Sequence, residues 1–99
     1  MSGLDVVYFV RREGLIKIGT TGNLTQRLNR LSRGGSMPDG MTVGRVELLA
    51  VAKGGRRQEQ EWHRKFAATR IPRTEWFRPT AELHNLIKSL NRDYEGDAA

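Results

Sequence analysis

The chain has 99 residues, with 17 basic and 11 acidic side chains and a formal net charge of +6 at pH 7. This length predicts one domain with a modest core, and the absence of cysteine excludes a disulfide scaffold, a thiolate metal site and a cysteine nucleophile. The longest apolar stretch, Val6 to Val10, is too short to cross a bilayer and residues 1–5 lack a signal-peptide layout, so we expect a cytoplasmic protein with no membrane partner.

Two strands joined by a tight turn are predicted at the start of the chain. Residues 5–11 are rich in β-branched and aromatic side chains, as is typical of a strand, and residues 14–19 form a second short strand. Glu13 and Gly14 suit a two-residue hairpin turn in which the glycine takes a positive φ. Such a short link requires the two strands to pair antiparallel.

The predicted turn also sets which residues face each other. It places Val10 opposite Lys17 and Tyr8 opposite Gly19. Because side chains alternate along a strand, Tyr8 and Lys17 then lie on the same face of the sheet, one diagonal step apart. From position alone, Tyr8 is better explained as a core aromatic residue, and Lys17 is explained equally well as a solvated strand lysine.

The rest of the chain predicts three helices and one more strand. Apolar residues recur at helical spacing over 23–33, 56–69 and 79–91, and residues 43–52 have the composition of a strand. Residues 75–77 form only a short extended piece. The element order β-β-α-β-α-α predicts a single α/β domain in which helices flank a central three-stranded sheet.

The positive charge is concentrated in residues 1–92, which we expect to form the domain. The last seven residues, 93–99, contain three acids and no base, and are expected to form a flexible acidic tail. Without them the chain has 17 basic and 8 acidic side chains, a net charge of +9. This indicates a polyanionic partner, most simply nucleic acid, although a solvated basic surface is an equal alternative from charge alone.

The ordered set of motifs resembles the GIY-YIG nuclease superfamily, in particular its short phage and bacterial members. The segments 6–8 (Val-Val-Tyr) and 17–19 (Lys-Ile-Gly) stand where that family has its two signature motifs, and Arg27 follows on the next helix. The segments 59–63 (Glu-Gln-Glu-Trp-His) and 75–77 (Glu-Trp-Phe) resemble later segments of the subgroup. The first motif lacks its glycine and isoleucine, and lysine replaces the first tyrosine of the second.

The resemblance implies a DNA endonuclease that hydrolyses phosphodiester bonds with Mg²⁺ (or Mn²⁺) and has low intrinsic sequence specificity. It implies that Tyr8 orients or deprotonates the attacking water. Since a free phenol titrates near pKa ~10, the Lys17 cation would help either by lowering the pKa of Tyr8 or by polarising the water. Arg27 would hold the phosphate, and Glu59 would hold the metal ion. His63 would orient Glu59 or lend a proton.

Each of these roles has a structural alternative. Glu59 is also explained as an exposed helix glutamate paired with His63 or Arg56, and His63 as a structural residue. Glu75 is expected to cap or pair with an arginine and is not assigned to the metal. The family also has a late polar residue, often asparagine, for which Asn85 and Asn91 are candidates by residue type alone.

Six further basic residues are predicted to bind the nucleic-acid backbone: Arg30, Arg33, Arg56, Arg57, Arg64 and Lys65. Most lie off the apolar stripes of their helices, which suits contact with phosphates. DNA is the expected partner, and RNA is the alternative. Two other functions stay open: a regulatory module that binds nucleic acid on the same scaffold without cutting it, and a small protein-interaction domain, which leaves the basic surface unexplained.

Overall fold

The computed structural model describes residues 5–33 and 46–98, with side chains through residue 91. In chain order the elements are β1 (Val6–Arg12), β2 (Leu15–Thr21), α1 (Leu24–Ser32), β3 (Glu47–Lys53), α2 (Arg56–Lys65), β4 (Trp76–Phe77) and α3 (Ala81–Ala98). A single 3-10 turn, Ala67–Thr69, follows α2. No helix in the described part of the chain is long and apolar enough to span a membrane.

The β1–β2 hairpin has the predicted turn and register. Glu13 and Gly14 have φ values of 50° and 79°, the positive pair that a two-residue hairpin turn matching strand twist requires. Tyr8 pairs with Gly19 and Val10 with Lys17 in an antiparallel ladder. Tyr8 and Lys17 therefore share one face of the sheet, as predicted.

Within the described residues the sheet has four strands, where the sequence predicted three. All neighbours are antiparallel, in the order β3-β1-β2-β4. The third predicted strand does join this sheet, beside β1, although residues 43–45 of its predicted range lie outside the described residues. The extra strand, β4, has only two residues and pairs with Ile16 and Lys17 of β2, so its own pattern is too short to indicate a strand.

Helices cover both faces of the sheet. On one face Tyr8 and Val10 pack with Leu31 of α1 and with Trp76 of β4. The other face forms the larger core with the end of α2 and with α3, and its buried members include Val7, Phe9, Ile16, Ile18, Phe66, Leu83 and Ile87. Because both faces are covered, neighbouring residues of the two central strands are buried without the alternation of a one-sided sheet.

Two helix ends differ from the sequence prediction. The helix predicted to end at residue 69 ends at Lys65, and the chain continues through the 3-10 turn. The last helix begins at Ala81 and continues to Ala98, where the sequence predicted an end near residue 91. No proline interrupts the chain beyond Pro79, so nothing in its sequence forces the helix to stop at 91.

The start of α1 is fixed as the sequence predicts. Asn23 has an extended backbone, and its side chain accepts a hydrogen bond from the Gln26 backbone N–H at 3.1 Å, which is the bond expected of a helix N-cap. This cap lies two residues after the end of β2. It therefore holds α1, with Arg27 in its first turn, close to the end of the hairpin.

Candidate active site

A polar cleft of about 490 Å³ lies at the end of the hairpin opposite its turn, where β2 meets the starts of α1 and α2. Its lining residues are Asp5, Thr20, Thr21, Gly22, Arg27, Arg56, Glu59, Gln60 and Glu75. Two of the predicted catalytic residues, Arg27 and Glu59, line this polar cleft. Tyr8 and Lys17 do not reach the surface, because they are 0% and 1% exposed.

The Tyr8 ring lies directly against the backbone of Gly19 on the neighbouring strand. A Cβ atom at residue 19 would stand 2.4 Å from the Tyr8 hydroxyl oxygen, far inside van der Waals contact. Glycine is therefore required by the close approach of the ring. The pairing of a tyrosine in the first motif with a glycine in the second has a direct packing reason in this fold.

The Tyr8 hydroxyl is buried and makes no hydrogen bond of normal geometry to a described group. Burial raises the pKa of Tyr8, since the phenolate loses its hydration. The Arg27 guanidinium beside the hydroxyl opposes this shift, while the carboxylates of Glu75 and Glu59 add to it. The expected lowering of this pKa by Lys17 is therefore wrong: the net shift is upward, and the cation that opposes it is Arg27.

Lys17 is a buried ammonium paired with a carboxylate at the cleft wall. Its Nζ lies 2.7 Å from Glu75 Oε1, and 6.0 Å from the centre of the Trp76 ring. A solvated strand lysine, the alternative from sequence, does not describe this side chain. Glu75 was expected to cap or pair with an arginine, and it pairs with this lysine instead because β4 lies beside Lys17 on β2.

Glu59 is buried at the start of α2 and is held by a hydroxyl. The Thr20 Oγ1–H donates to Glu59 Oε2 at 2.6 Å, so the carboxylate has a fixed orientation, although the residue is 5% exposed. It is not the exposed, ion-paired glutamate of the structural alternative. Thr20 was missed by the sequence analysis, and its position directly after Gly19 at the end of a strand was the only signal for it.

His63 lies one turn after Glu59 and is bonded to the sheet. Its Nε2 is 2.9 Å from the Ile18 carbonyl oxygen, and because a carbonyl only accepts, Nε2 carries the proton. The ring stands edge-on to Phe77, with centroids 5.1 Å apart. The Ile18 N–H donates to the backbone carbonyl of Glu75. Ile18 of β2 is therefore hydrogen-bonded both to His63 on α2 and to Glu75 beside β4.

Ligand atoms from Glu59, His63 and Glu75 lie within 4.8 Å of one another. Carboxylate oxygens suit Mg²⁺ and Mn²⁺, and imidazole nitrogen suits first-row transition ions. The donor set therefore fits a divalent cation of the kind that the family resemblance implies.

Of the six predicted backbone-binding residues, one lines the cleft and the others lie on α1, at the end of α1 or elsewhere on α2. Arg56 lines the polar cleft, whereas Arg30 and Arg33 line a separate hollow on α1 with Gln26 and Asn29. The remaining three are exposed along α2: Arg57, Arg64 and Lys65. Their arrangement places positive charge on both helices that flank the cleft.

The two candidates for the late polar residue both lie on α3. The Asn91 side chain donates to the Leu49 carbonyl of β3 at 3.0 Å, at a residue where the β1–β3 register shifts. Asn85 is exposed. Neither residue lines the polar cleft, and the contact of Asn91 is explained by satisfying a carbonyl that the strand ladder leaves over.

Comparison with known proteins gives one family. The model of the T5orf172 domain matches residues 5–92. This domain is found in phage and bacterial proteins and is related to GIY-YIG and nuclease-like folds. No curated protein and no solved structure gives a significant match to the chain.

Proposed function

The chain belongs to the T5orf172 domain family, and from that premise we propose that it is an endonuclease that hydrolyses phosphodiester bonds in DNA with a divalent cation, Mg²⁺ or Mn²⁺. The observation that carries this proposal is a polar cleft lined by a guanidinium and a buried carboxylate, both of which act electrostatically on a phenol buried nearby. Arg27, Glu59 and Tyr8 come from three different elements: α1, α2 and β1. RNA stays the alternative substrate.

Arg27 is proposed to hold the scissile phosphate. Its guanidinium lines the polar cleft and offers parallel N–H donors that match two phosphate oxygens. In the reaction, the water oxygen bonds to phosphorus and loses a proton to solvent, the bond from phosphorus to the 3′ oxygen breaks, and the departing oxygen takes up a proton, leaving 5′-phosphate and 3′-hydroxyl ends. A fixed cation stabilises the charge that develops on the phosphate in the transition state.

Tyr8 is proposed to orient the attacking water. Because burial raises its pKa, the phenol keeps its proton at neutral pH, and its oxygen serves as a hydrogen-bond acceptor rather than as a strong base. The hydroxyl is sealed from solvent in the free protein. We expect it to face the cleft when Arg27 turns from it to a bound phosphate.

Glu59 is the residue proposed to hold the divalent cation. Thr20 occupies one of its carboxylate oxygens, and no described residue bonds to the other. When bound, such a cation stabilises charge on the phosphate and on the leaving oxygen. Beside it, the positive charge of Lys17 offsets the negative charge of Glu75 at the wall of the cleft.

The basic residues around the cleft are proposed to bind the DNA backbone. Phosphate contacts fix the position of a protein on DNA but carry no sequence information. Binding through Arg56, Arg57 and their neighbours therefore predicts low intrinsic sequence specificity.

Nicking of supercoiled plasmid tests this function. We expect the wild-type protein to nick and linearise plasmid in Mg²⁺ or Mn²⁺ but not in EDTA, and Glu59→Gln to be slower by about a hundredfold or more, since an essential charge is lost. The matched control is Glu61→Gln, which changes an exposed glutamate of the same helix whose side chain bonds only to Gln58 among the described residues. It should cut at the wild-type rate.

Two results would contradict the proposal. Plasmid that is bound but left intact with both cations would favour the regulatory module that binds without cutting. Wild-type nicking by Glu59→Gln would remove the assigned role of this carboxylate.

A further inference from the structure

Glu59, His63 and Glu75 share one pattern: each has one polar atom fixed by a neighbour and another atom without a described partner. Glu59 Oε2 accepts from Thr20 at 2.6 Å, and Glu75 Oε1 accepts from Lys17 at 2.7 Å. His63 Nε2 donates to the Ile18 carbonyl at 2.9 Å. No described residue bonds to the second carboxylate oxygen of either glutamate or to Nδ1 of the histidine, so these three atoms are available as metal ligands.

This pattern is the one that protein metal sites use to orient their ligands. A ligating histidine almost always donates its other ring N–H to a carbonyl or carboxylate, and ligating carboxylates accept hydrogen bonds on their second oxygen. Here all three partners come from outside the cluster: a hydroxyl, a backbone carbonyl and a buried ammonium. Two of the three side chains, Glu59 and His63, are 5% and 7% exposed, so their orientations are held by the fold.

We propose that Glu59, His63 and Glu75 together form a three-ligand site that binds Mn²⁺ in preference to Mg²⁺. The inference rests on the proposed function and deepens it, because that function requires only Glu59 as a protein ligand. One possible ligand atom from each of the three residues already lies within 4.8 Å of the other two. Each carboxylate has two oxygens, so Glu75 binds an ion with one and keeps Lys17 on the other.

The histidine decides the choice of ion. Mg²⁺ takes oxygen ligands and retains most of its waters, whereas imidazole nitrogen favours first-row transition ions. A site with one nitrogen and two carboxylate donors therefore binds Mn²⁺ more tightly than a site made of one carboxylate and water. The same donors leave several coordination positions of the ion open for water and a phosphate oxygen.

Titration of Mn²⁺, followed by the electron paramagnetic resonance signal of the free ion, tests this site without DNA or catalysis. We expect wild-type protein to bind Mn²⁺ about tenfold or more tightly than Mg²⁺, measured by competition, and His63→Gln and Glu75→Gln each to weaken Mn²⁺ binding by about tenfold or more. In His63→Gln, whose amide still donates to Ile18, the preference for Mn²⁺ should also shrink. Glu61→Gln is the control and should bind as the wild type does.

Glu75→Gln leaves the buried Lys17 ammonium without its carboxylate partner, which could destabilise the fold. A second pair of variants therefore separates loss of a metal ligand from loss of folding. In a Lys17→Met background, adding Glu75→Gln should still weaken Mn²⁺ binding, since the lysine is then absent from both proteins. Thermal unfolding by circular dichroism identifies variants that remain folded. Wild-type Mn²⁺ affinity in folded His63→Gln and Glu75→Gln, or equal wild-type affinities for Mn²⁺ and Mg²⁺, would overturn the inference.

Failure of this site and failure of the endonuclease give different results. Protein that cuts plasmid while both variants bind Mn²⁺ normally is an endonuclease with Glu59 as its single metal ligand. Protein that binds Mn²⁺ through all three residues but never cuts DNA has the site and lacks the activity.

Discussion

Tyr8 shows at the scale of one residue how burial changes the chemistry of a familiar group. An exposed tyrosine beside a lysine would be a candidate general base for the attacking water. The two signature motifs, which contain Tyr8 and Lys17, suggest that arrangement. In the fold the phenol is buried, its pKa is raised, and Lys17 forms an ion pair with Glu75. The phenol is thus suited to orient water, and its protonation has a consequence for stability.

We predict that the wild-type protein loses stability above about pH 10 relative to Tyr8→Phe. The unfolded chain ionises its tyrosine near the ordinary value of 10.0, whereas the folded protein holds the proton to a higher pH. Above the unfolded pKa the folded state therefore binds more protons than the unfolded state, and the free energy of unfolding falls as the pH rises. Below the unfolded pKa, Tyr8 is protonated in both states and adds no pH dependence to the free energy of unfolding.

Urea unfolding of both proteins at about pH 8 and about pH 11 measures this effect. Tyr8→Phe is the matched control for every other titrating group, since lysines and the other tyrosine change equally in both proteins. A stability difference between the two proteins that stays constant over this range would contradict the raised pKa.

Among the elements, those with a complete local pattern were predicted and those defined by a distant partner were not. The hairpin, its register and the cap of α1 follow from Glu13-Gly14, strand alternation and Asn23. β4 has two residues and is a strand only because β2 lies beside it. The ends of α2 and α3 depend on packing and on the absence of a breaking residue, which periodicity does not locate.

The helices that flank the cleft also carry a prediction about DNA binding. We expect Arg56→Ala combined with Arg57→Ala to weaken binding to duplex DNA and to reduce the slope of log affinity against log salt by up to about two, because each lost phosphate contact removes about 0.9. Arg56 lines the cleft and Arg57 is exposed beside it.

Filter binding at several salt concentrations gives both quantities. Arg11→Ala, which removes one positive charge, is the comparison at a distance from the cleft: this arginine is bonded to Glu47 and lies near the hairpin turn. We expect its salt slope to remain that of the wild type. Salt-independent affinity, or no affinity for DNA, would instead favour the protein-interaction domain.

At the scale of the whole molecule, the candidate site joins segments that are far apart in sequence. Thr20 and Glu59 are separated by 39 residues, and Lys17 and Glu75 by 58. The family resemblance placed Tyr8, Arg27 and Glu59 in one site, since it carries an ordered set of motifs. It did not predict that Thr20 bonds to Glu59, that Glu75 pairs with Lys17 or that His63 bonds to the Ile18 carbonyl. Those contacts exist only once β2, β4 and α2 are packed together.

The central claim is that this cleft hydrolyses a phosphodiester bond, with Arg27 serving the chemical step more than DNA affinity. Single-turnover cleavage of a labelled DNA duplex, with protein in excess and the bound fraction measured in parallel, tests it most directly. We predict that wild-type protein cuts the bound duplex in Mg²⁺ or Mn²⁺ and that Arg27→Ala retains most binding while cutting about a hundredfold or more slowly. Bound duplex that the wild type leaves intact in both ions, or an Arg27→Ala protein that cuts at the wild-type rate, would contradict the account.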